Sequence, residues 1–426
     1  MVLEKTTTPE GMDIYVDTMP DRQVAKITAF VGVGSVHESD KLAGMSHVLE
    51  HCTHLSTEMF PDEEALNEFT GINSLDANAD TYYNRTCYYA TGPHVEPNMK
   101  RLGELLFRAT FKEEYIPNEL SVVTREAYES RDDIDRLHDV ACDYALFGKP
   151  YGRSVIGYAD RINFSAEQLR KFYDKHYTMS NMALIAVGKV HMEEALQYAE
   201  KYFGHSKKER YVANKKSPRQ IEAVNTGLLV NESDIAIVRY ATPMNTDFAE
   251  RYLRNKQKYD AAIRAIGGLC YRRFRIDTGL SYDGSVNIYD LNDPVAWSIG
   301  GNATVSSDDA ENARILFEDI FSRPSSFYGD TAIASAIGQT QGETLGSMDS
   351  VVDRMELYIQ DLEHQVEARD LGKVAESVQN LSHDDVRGAI DDIVECMNSV
   401  QPSTHITGPK KAILSADKLF RISKFS

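Results

Sequence analysis

Cysteine is scarce in this chain of 426 residues, and its arrangement excludes two classes of small site. The five cysteines are Cys52, Cys87, Cys142, Cys270 and Cys396, an odd number without a C-x-x-C pair. A disulfide framework and a cysteine zinc finger are therefore not expected, and a reducing compartment is favoured.

Long apolar runs and targeting features are also lacking. No apolar stretch reaches the roughly 20 residues that span a bilayer. The first residues, M-V-L-E-K-T-T-T-P-E-G, have no apolar core like that of a secretory signal, and they include acidic residues that transit peptides avoid. We therefore expect a cytoplasmic protein with no membrane partner.

Basic residues are fewer than acidic ones: the chain has 46 Lys and Arg residues and 65 Asp and Glu residues, so the formal net charge is −19. Nucleic-acid binding needs a basic surface that displaces phosphate counterions, and anionic membranes attract basic segments. Neither partner is therefore expected. The apolar fraction of 42% and the charged fraction of 26% are ordinary for a globular protein.

The length predicts more than one domain, because a single hydrophobic core rarely grows past about 250–300 residues. The polar stretch 206–218, S-K-K-E-R-Y-V-A-N-K-K-S-P, is rich in basic residues and nearly bisects this acidic chain. We predict domains at 1–205 and 219–426 joined by 206–218 as a linker. A polar hairpin inside one domain is the alternative.

Apolar patterns predict an α+β fold. Strands are predicted at 24–35, 81–92 and 183–188. Helices are predicted at 41–54, 99–111 and 118–131, and a further helix begins near Pro61, where acidic residues fill the first turn.

The two halves of the chain share a faint similarity. Ser165 opens a predicted helix with a capping box to Gln168, and a strand ending at Gly188 follows. Ser382 opens a helix with a similar start, and a segment ending at Gly408 follows at a comparable distance. By itself this similarity indicates a duplication only weakly.

One motif carries chemistry, the run G-M-S-H-V-L-E-H with His47, Glu50 and His51. Helix positions three and four apart share a face, so both imidazoles can point at one ion while Glu50 reaches a water beside it. This H-x-x-E-H order suits zinc, which binds imidazole and carboxylate and keeps one position open in catalytic sites. An amphipathic helix with ordinary histidines is the alternative.

A two-histidine zinc site needs a third protein ligand. The segment N-E-L-S-V-V-T-R-E-A offers Glu119 and Glu126, which are two helical turns apart and therefore face the same way. One carboxylate can bind the metal while the other supports a ligand from behind.

The run H-V-L-E-H followed by E-x-x-V-V-x-x-E resembles the pitrilysin, insulysin and mitochondrial processing peptidase family of inverzincin zinc metallopeptidases, and the 75 residues from His51 to Glu126 match that family's spacing. The resemblance implies that His47, His51 and Glu126 are zinc ligands. It also implies that Glu50 is the general base and Glu119 the supporting carboxylate. The implied fold has two similar halves, each a largely antiparallel or mixed β-sheet with helices packed on one face, in a clam-like dimer.

Further segments are similar to the family. Gly44 and the run V-G-V-G-S-V-H-E resemble its entry to the metal helix, and A-N-A-D-T resembles its substrate-edge strand, where Asn78 would hold peptide backbone. R-I-D-T-G-L-S-Y places Arg275 and Tyr282 at the spacing of the family's Arg/Tyr pair, which stabilises the developing oxyanion. Without the resemblance, an exposed Arg at a strand start and a buried Tyr would be favoured.

Some positions depart from the family. The run after His51 is C-T-H-L-S-T, and we interpret Cys52 and His54 as packing or pocket-lining residues, since Cys52 points about 100° away from His51 around the helix. Ile72 replaces a glycine and Ile276 replaces a glutamate. These changes affect pocket shape and cleavage preference, not the metal chemistry.

The sequence therefore predicts a zinc metalloendopeptidase that hydrolyses short or unfolded polypeptides bound at a sheet edge. The alternative is a catalytically silent family member that acts as a peptide-binding or assembly subunit. A different zinc hydrolase is a third hypothesis, disfavoured by Asn78 and the Arg/Tyr pair.

A chain that carries both the metal motif and the Arg/Tyr pair resembles the shorter, dimeric members of the family. We predict a homodimer in which Arg275 and Tyr282 of one protomer serve the metal of the other. A heterodimer with a non-identical subunit is the alternative.

Overall fold

A computed structural model describes residues 3–204, 225–229, 234–291, 296–363, 369–415 and 421–423. The strands are β1 (Glu4–Thr7), β2 (Asp13–Thr18), β3 (Ala25–Val31), β4 (Asp76–Thr81), β5 (Thr86–Gly92), β6 (Met182–Gly188), β7 (Thr226–Leu229), β8 (Ile235–Pro243), β9 (Ser285–Asp290), β10 (Trp297–Ser306), β11 (Ser403–Gly408) and β12 (Arg421–Ser423).

The α-helices are α1 (Met45–Thr53), α2 (Glu63–Ile72), α3 (Val95–Phe107), α4 (Ile116–Asp132), α5 (Ile134–Phe147), α6 (Ala166–His176), α7 (Met192–Phe203), α8 (Thr246–Arg254), α9 (Lys256–Tyr271), α10 (Ala310–Phe321), α11 (Asp330–Ser347), α12 (Val351–Glu363), α13 (Leu371–Gln379), α14 (His383–Ser399) and α15 (Lys410–Ser415). Helix α9 continues as a π-helix over Arg272–Asp277. Short 3₁₀-helices lie at Ser35–His37, Asp40–Leu42, Met179–Asn181 and Ser325–Phe327. None of the helices within the described ranges combines the length and the apolar character that crossing a membrane requires.

Two six-stranded mixed sheets share the order of five strands. The first sheet runs β1-β2-β6-β3-β5-β4 and the second runs β12-β7-β11-β8-β10-β9. In both, a parallel pair (β2 with β6, β7 with β11) is followed by antiparallel neighbours. The sixth strands differ, because β1 is antiparallel to β2 whereas β12 is parallel to β7. The predicted α+β fold of two similar halves is therefore confirmed.

Contacts divide the chain into two compact units, neither of which is continuous in sequence. Unit 1 comprises Met1–Glu129, Ser154–Lys216 and Ser347–Gly372, and unit 2 comprises Ser130–Arg153, Ser217–Gly346 and Lys373–Ser426. The predicted linker 206–218 lies outside the described residues. The predicted domain bounds 1–205 and 219–426 remain predictions.

The core of unit 1 lies against one face of its sheet, and α1, α3, α6 and α7 contribute residues to it. Alternate residues of β3, namely Ala25, Ile27, Ala29 and Val31, point into this core. The predicted strand 24–35 is thus the shorter β3. The predicted strand 81–92 is β5, which a turn separates from β4.

The opposite face of this sheet is covered by α12, which comes from the second half of the sequence. Nη1 of Arg354 on α12 lies 3.0 Å from Oδ2 of Asp17 on β2, and each side chain is 4% exposed. The hydroxyl of Tyr358 donates to the same carboxylate at 2.7 Å. A buried ion pair and a phenol therefore hold α12 on the sheet.

Unit 2 repeats this arrangement with α5, which comes from the first half of the sequence. Helix α5 lies on β8 and β11. These strands are the counterparts of β3 and β6, and in unit 1 α12 lies on β3 and β6. Nδ1 of His138 shares a hydrogen bond of 2.8 Å with Oγ1 of Thr407, and Arg239 donates to Asp139 at 2.6 Å. Each half of the sequence thus supplies one helix to the other half's sheet.

Local signals set several helix ends as the sequence predicts. Helix α6 begins with the capping box of Ser165 and Gln168, and α14 begins with the equivalent box of Ser382 and Asp385. The helix predicted near Pro61 is α2, whose N-cap Asp62 accepts a hydrogen bond from the backbone of residue 65.

Candidate metal centre

Helix α1 carries the H-x-x-E-H motif, and buried contacts hold its first turn. Gly44, the N-cap, has a φ of 89°, and a Cβ there would lie 2.5 Å from the carbonyl oxygen of Ile156. The buried carboxylate of Glu38 accepts hydrogen bonds from the backbone N–H groups of Gly44 at 2.8 Å and Ser46 at 2.7 Å. A carboxylate at this end of a helix satisfies free N–H groups and interacts favourably with the helix dipole.

His47, His51 and Glu126 lie together, with one ligand atom from each within 4.8 Å of the others. Oε2 of Glu126 on α4 is 3.9 Å from Nε2 of His47 and 3.6 Å from Nε2 of His51. The two imidazole centroids are 4.7 Å apart. In the part of the chain that the structure describes, this is the one group of three or more His, Cys, Asp or Glu side chains spaced to hold a metal ion.

Glu119 lies behind His51, two helical turns before Glu126. Its Oε1 is 2.7 Å from Nδ1 of His51. Burial lowers the pKa of His51, but the hydrogen bond to Glu119 and the charges of Glu50 and Glu126 outweigh burial, so the pKa is raised. Because the carboxylate accepts, the proton resides on Nδ1, and Nε2 of the neutral ring keeps a lone pair on the side of Glu126.

His47 is neutral in this environment. Burial, followed by the charge of His51, lowers the pKa of His47 to about 3. Its Nδ1 has no hydrogen-bond partner among the described residues. The imidazole therefore presents an unprotonated nitrogen at neutral pH, which is the form that binds metal ions.

Glu50 lies beside the two histidines and is 8% exposed. Its Oε2 accepts a hydrogen bond of 2.8 Å from Oγ1 of Thr81, the last residue of β4. Burial raises the pKa of Glu50 to about 7, although His51 and the Thr81 hydrogen bond lower it. A carboxyl group with this pKa can accept and release a proton near neutral pH.

Cys52 and His54 point away from the cluster. Cys52 is completely buried in the core of unit 1, and burial raises the pKa of its thiol to about 12. Nδ1 of His54 donates to the carbonyl oxygen of Glu50 at 2.9 Å, and its ring stacks on Tyr88. These contacts confirm that both are packing residues.

Strand β4 is an edge strand beside the cluster. Within the described residues it pairs with β5, and its other side carries no strand. Asn78 is exposed and lies opposite Tyr89 in the register. Since Thr81 at the end of the same strand contacts Glu50, the free edge leads to the histidines. An unpaired edge offers N–H and C=O groups to an extended peptide.

Arg275 and Tyr282 lie together in unit 2. Arg275 belongs to the π-helix, and its guanidinium carbon is 4.7 Å from the ring centroid of Tyr282. Tyr282 is 74% exposed and the neighbouring Ile276 is 67% exposed. An Arg at a strand start and a buried Tyr are therefore wrong descriptions of this pair. Both side chains can donate hydrogen bonds to a ligand.

Two contacts of the site were missed from the sequence. The role of Thr81 could have been found from alternation along β4, because residues 77, 79 and 81 share the face that packs on α1. The role of Glu38 has no local signal, since the N–H groups it accepts from are six and eight residues away.

Two family models match the chain. Residues 14–157 match the model described as "Insulinase (Peptidase family M16)", and residues 163–323 match "Peptidase M16 inactive domain". The histidine and glutamate cluster lies within the first match, whereas Arg275 and Tyr282 lie within the second.

Several curated proteins are similar to parts of the chain. A probable mitochondrial-processing peptidase subunit beta of Arabidopsis thaliana is 30% identical over 206 residues, which are 46% of this chain and 38% of that protein. The mitochondrial-processing peptidase subunit beta of Saccharomyces cerevisiae is 29% identical over 219 residues, 50% of this chain and 46% of that protein. The uncharacterized zinc protease YmxG of Bacillus subtilis is 27% identical over 208 residues, 48% of this chain and 50% of that protein. The chain spans half or less of the length of these relatives.

Solved structures share the fold over nearly the whole chain. A peptidase M16 inactive domain from Pseudomonas fluorescens has a TM-score of 0.83 at 15% identity, covering 96% of this chain and 99% of that one. The first half of the periplasmic protease PqqL from Escherichia coli has a TM-score of 0.76 at 15% identity, covering 99% of this chain and 98% of that one. At these identities the likeness concerns the fold alone.

Proposed function

The chain belongs to the M16 (insulinase) peptidase family, and from this membership we propose that it is a zinc metalloendopeptidase acting on short or unfolded polypeptides. One observation carries the proposal: His47, His51 and Glu126 face a common point, and the carboxylate of Glu50 is buried beside them. The substrate and the cleavage are proposals that the experiments below test.

The three side chains suit zinc in both chemistry and spacing. Two imidazoles and a carboxylate are ligands of catalytic zinc sites, and ligand atoms about 2.1 Å from a tetrahedral ion lie roughly 3.4 Å apart. The distances of 3.6 and 3.9 Å from Oε2 of Glu126 to the two Nε2 atoms are close to that value. His47, His51 and Glu126 would therefore hold the ion, while Glu119 would orient His51 through Nδ1.

A zinc ion held there would polarise the scissile carbonyl group and make a neighbouring water more acidic. Glu50 accepts the proton of the attacking water and passes it to the leaving amine. The hydroxyl of Thr81 binds Oε2 of Glu50, which leaves Oε1 to take the proton. The raised pKa of Glu50 suits both steps, because the carboxyl group must accept the proton and then release it.

The free edge of β4 supports binding of an extended substrate. A peptide that adds a strand there gains backbone hydrogen bonds, which are tolerant of side-chain sequence. The exposed amide of Asn78 can bond to peptide backbone three residues before Thr81. Short or unfolded polypeptides fit this mode because their backbone can extend along the edge, whereas most backbone groups of a folded protein are already hydrogen-bonded.

We assign oxyanion stabilisation to Arg275 and Tyr282, and we propose that the pair of one protomer serves the metal cluster of the other in a homodimer. The support is that both groups are exposed, adjacent and able to donate to developing negative charge. A partner chain of different sequence would supply the same groups in a heterodimer.

The variant Glu50→Gln tests the base. We expect the zinc-loaded variant to keep its zinc and to cleave an unfolded polypeptide about 10²–10⁴-fold more slowly. Glu200→Gln, on the exposed face of α7, is the matched control and should cleave at the wild-type rate. Unchanged cleavage by Glu50→Gln would reject the assigned base. A wild-type protein that holds zinc and cleaves no polypeptide would instead be a silent peptide-binding member.

A mixing experiment tests the shared site. Glu50→Gln and Arg275→Met should each be nearly inactive alone. After subunit exchange, half of the dimers are mixed and each has one intact site, so about a quarter of the wild-type activity should return. No recovery, or a monomer by mass photometry, contradicts the homodimer with shared sites.

The five cysteines are free and buried, which suits a reducing compartment. Cytoplasmic localisation therefore remains our proposal, and fractionation of cells with an antibody to the protein tests it.

A further inference from the structure

A cavity of about 500 Å³ lies in unit 2 between α9 and α11, beside the 3₁₀-helix Ser325–Phe327. This volume is within the range of about 300–1,000 Å³ that is typical of small-molecule sites. The cavity is formed within unit 2 alone.

The cavity occupies the place in unit 2 that corresponds to the metal cluster of unit 1. Helix α9 is the counterpart of α1. Helix α9 packs on the edge strand β9 and on α14, the helix that precedes β11. Helix α1 packs in the same way on the edge strand β4 and on α6, the helix that precedes β6. Helix α11 is the counterpart of α4 in chain order, since each follows the helix that comes after the two strands at that edge of the sheet (α10 after β9 and β10, α3 after β4 and β5). In unit 1 this helix pair holds histidine and glutamate, whereas in unit 2 Arg264 of α9 forms an ion pair with Glu343 of α11. The space between the two helices is therefore present in both units, but different side chains line it.

The charged residues that line the cavity are both arginines. Arg264 and Arg272 contribute to its wall, and no Asp or Glu does so among the described residues, in a chain with a net charge of −19. Nε of the exposed Arg272 lies 3.7 Å from Oδ1 of Asp277. The planar guanidinium group matches the geometry of a carboxylate.

The side chain of Tyr328 also lines the cavity. Tyr328 is 5% exposed, and its hydroxyl has no partner among the residues that the structure describes. The hydroxyl itself has almost no accessible surface, so the aromatic ring is the part of Tyr328 that can contact a ligand. Phe327 and Leu269 supply apolar surface on the same wall.

Two successive glycines keep space beside the backbone of α9. A Cβ built at Gly267 or Gly268 would meet no atom of the described residues within 4 Å. Glycine weakens a helix interior, and packing among the residues that the structure describes does not require it at either position. The pair therefore leaves room that a ligand can fill.

We propose that this cavity binds a carboxylate carried on an apolar group, the chemistry of an α-carboxylate beside an aromatic or aliphatic side chain. The two arginines bind the carboxylate, and the rings of Phe327 and Tyr328 and the side chain of Leu269 contact the apolar group. Two sources offer this chemistry, the C-terminus of a peptide and a free amino-acid derivative. The site does not depend on the zinc chemistry of unit 1.

Calorimetric titration of the full chain with N-acetyl-L-phenylalanine and with its neutral amide tests the charge requirement. We expect saturable binding of the carboxylate and at least about tenfold weaker binding of the amide. N-acetyl-Ala-Ala-Phe distinguishes the sources: tighter binding assigns a peptide C-terminus, and equal or weaker binding assigns a free derivative. No saturable binding of either carboxylate, or equal binding of the amide, overturns the proposal.

A pair of glycine variants tests the location. Gly268→Leu fills the cavity without a backbone clash and should lower the affinity by at least about tenfold. Gly388→Leu is the matched control, because Gly388 is an exposed helical glycine of α14 that does not line the cavity. It should bind like the wild type. Thermal melts check that both variants fold, and unchanged binding by a folded Gly268→Leu protein contradicts the assigned cavity. Arg272→Met should also weaken binding of the carboxylate but not of the amide.

Discussion

Replacing Glu50 by Gln should stabilise the zinc-free protein at pH 8 while changing its stability little at pH 5. The carboxyl group is 8% exposed, and burial raises its pKa from 4.5 to about 7. A group whose pKa is raised in the folded state favours folding below the unfolded-state pKa, and this contribution is lost as the pH rises through the folded-state pKa. The window is therefore pH 4.5 to 7. Glutamine mimics the protonated carboxyl group at every pH.

The magnitude follows from the pKa difference. One pKa unit corresponds to about 1.4 kcal/mol, so a shift from 4.5 to about 7 makes the ionised Glu50 cost on the order of 3 kcal/mol at pH 8. At pH 5 the same relation leaves a difference of about 1 kcal/mol. Burial raises the pKa of Glu50 by more than the positive charge of His51 lowers it.

The assay is urea unfolding of both proteins after removal of zinc, at pH 5 and pH 8. The free energy of unfolding of Glu50→Gln should exceed that of the wild type by roughly 2–3 kcal/mol more at pH 8 than at pH 5. Glu200→Gln, exposed on α7, should show no such pH dependence. A constant difference between Glu50→Gln and wild type at the two pH values would refute the argument that burial controls this carboxyl group.

Three further outcomes are expected. Glu119→Gln should weaken zinc binding by about 10–100-fold in competition with a chelating dye, because the partner of His51 Nδ1 loses its charge; an unchanged affinity would exclude the supporting role. Arg354→Met leaves Asp17 buried without its cation and should lower the free energy of unfolding by about 3–5 kcal/mol. Arg387→Met, at an exposed ion pair, should lower it by at most about 1 kcal/mol. Equal effects of the two variants would contradict the argument from burial. Gly44→Ala should destabilise the protein by about 1–3 kcal/mol in the same urea assay, since φ is 89° and the Cβ would meet a carbonyl oxygen; wild-type stability would show that the α1 start is not so restricted.

Local spacing made much of the site predictable. Two histidines one turn apart and two glutamates two turns apart each have to share a helix face, whatever the surrounding fold. That α1 and α4 face each other does not follow from this spacing, and the family resemblance supplied it. The capping boxes of α6 and α14 were readable because their partners are three residues apart.

Contacts between residues far apart in the sequence could not be predicted from local patterns. Helix α12 buries Val351, Met355 and Ile359, and this apolar stripe predicts that the helix packs on a core. It does not say on which of two sheets with the same strand order. The ion pair of Arg354 with Asp17 joins residues 337 positions apart, and no local pattern reports it. The exposed position of Tyr282 depends on how the π-helix after α9 ends, which periodicity also leaves open.

Each half of the sequence supplies one helix, α5 or α12, to the other half's sheet, and this exchange has a consequence for folding during synthesis. The sheet of unit 1 is encoded before residue 189, yet the helix that shields one of its faces emerges from the ribosome only with Val351–Glu363. Until then Asp17 lacks its cation, so the nascent amino-terminal segment cannot reach its mature state ahead of the rest. We therefore expect that neither half of the sequence, expressed alone, folds to its mature unit.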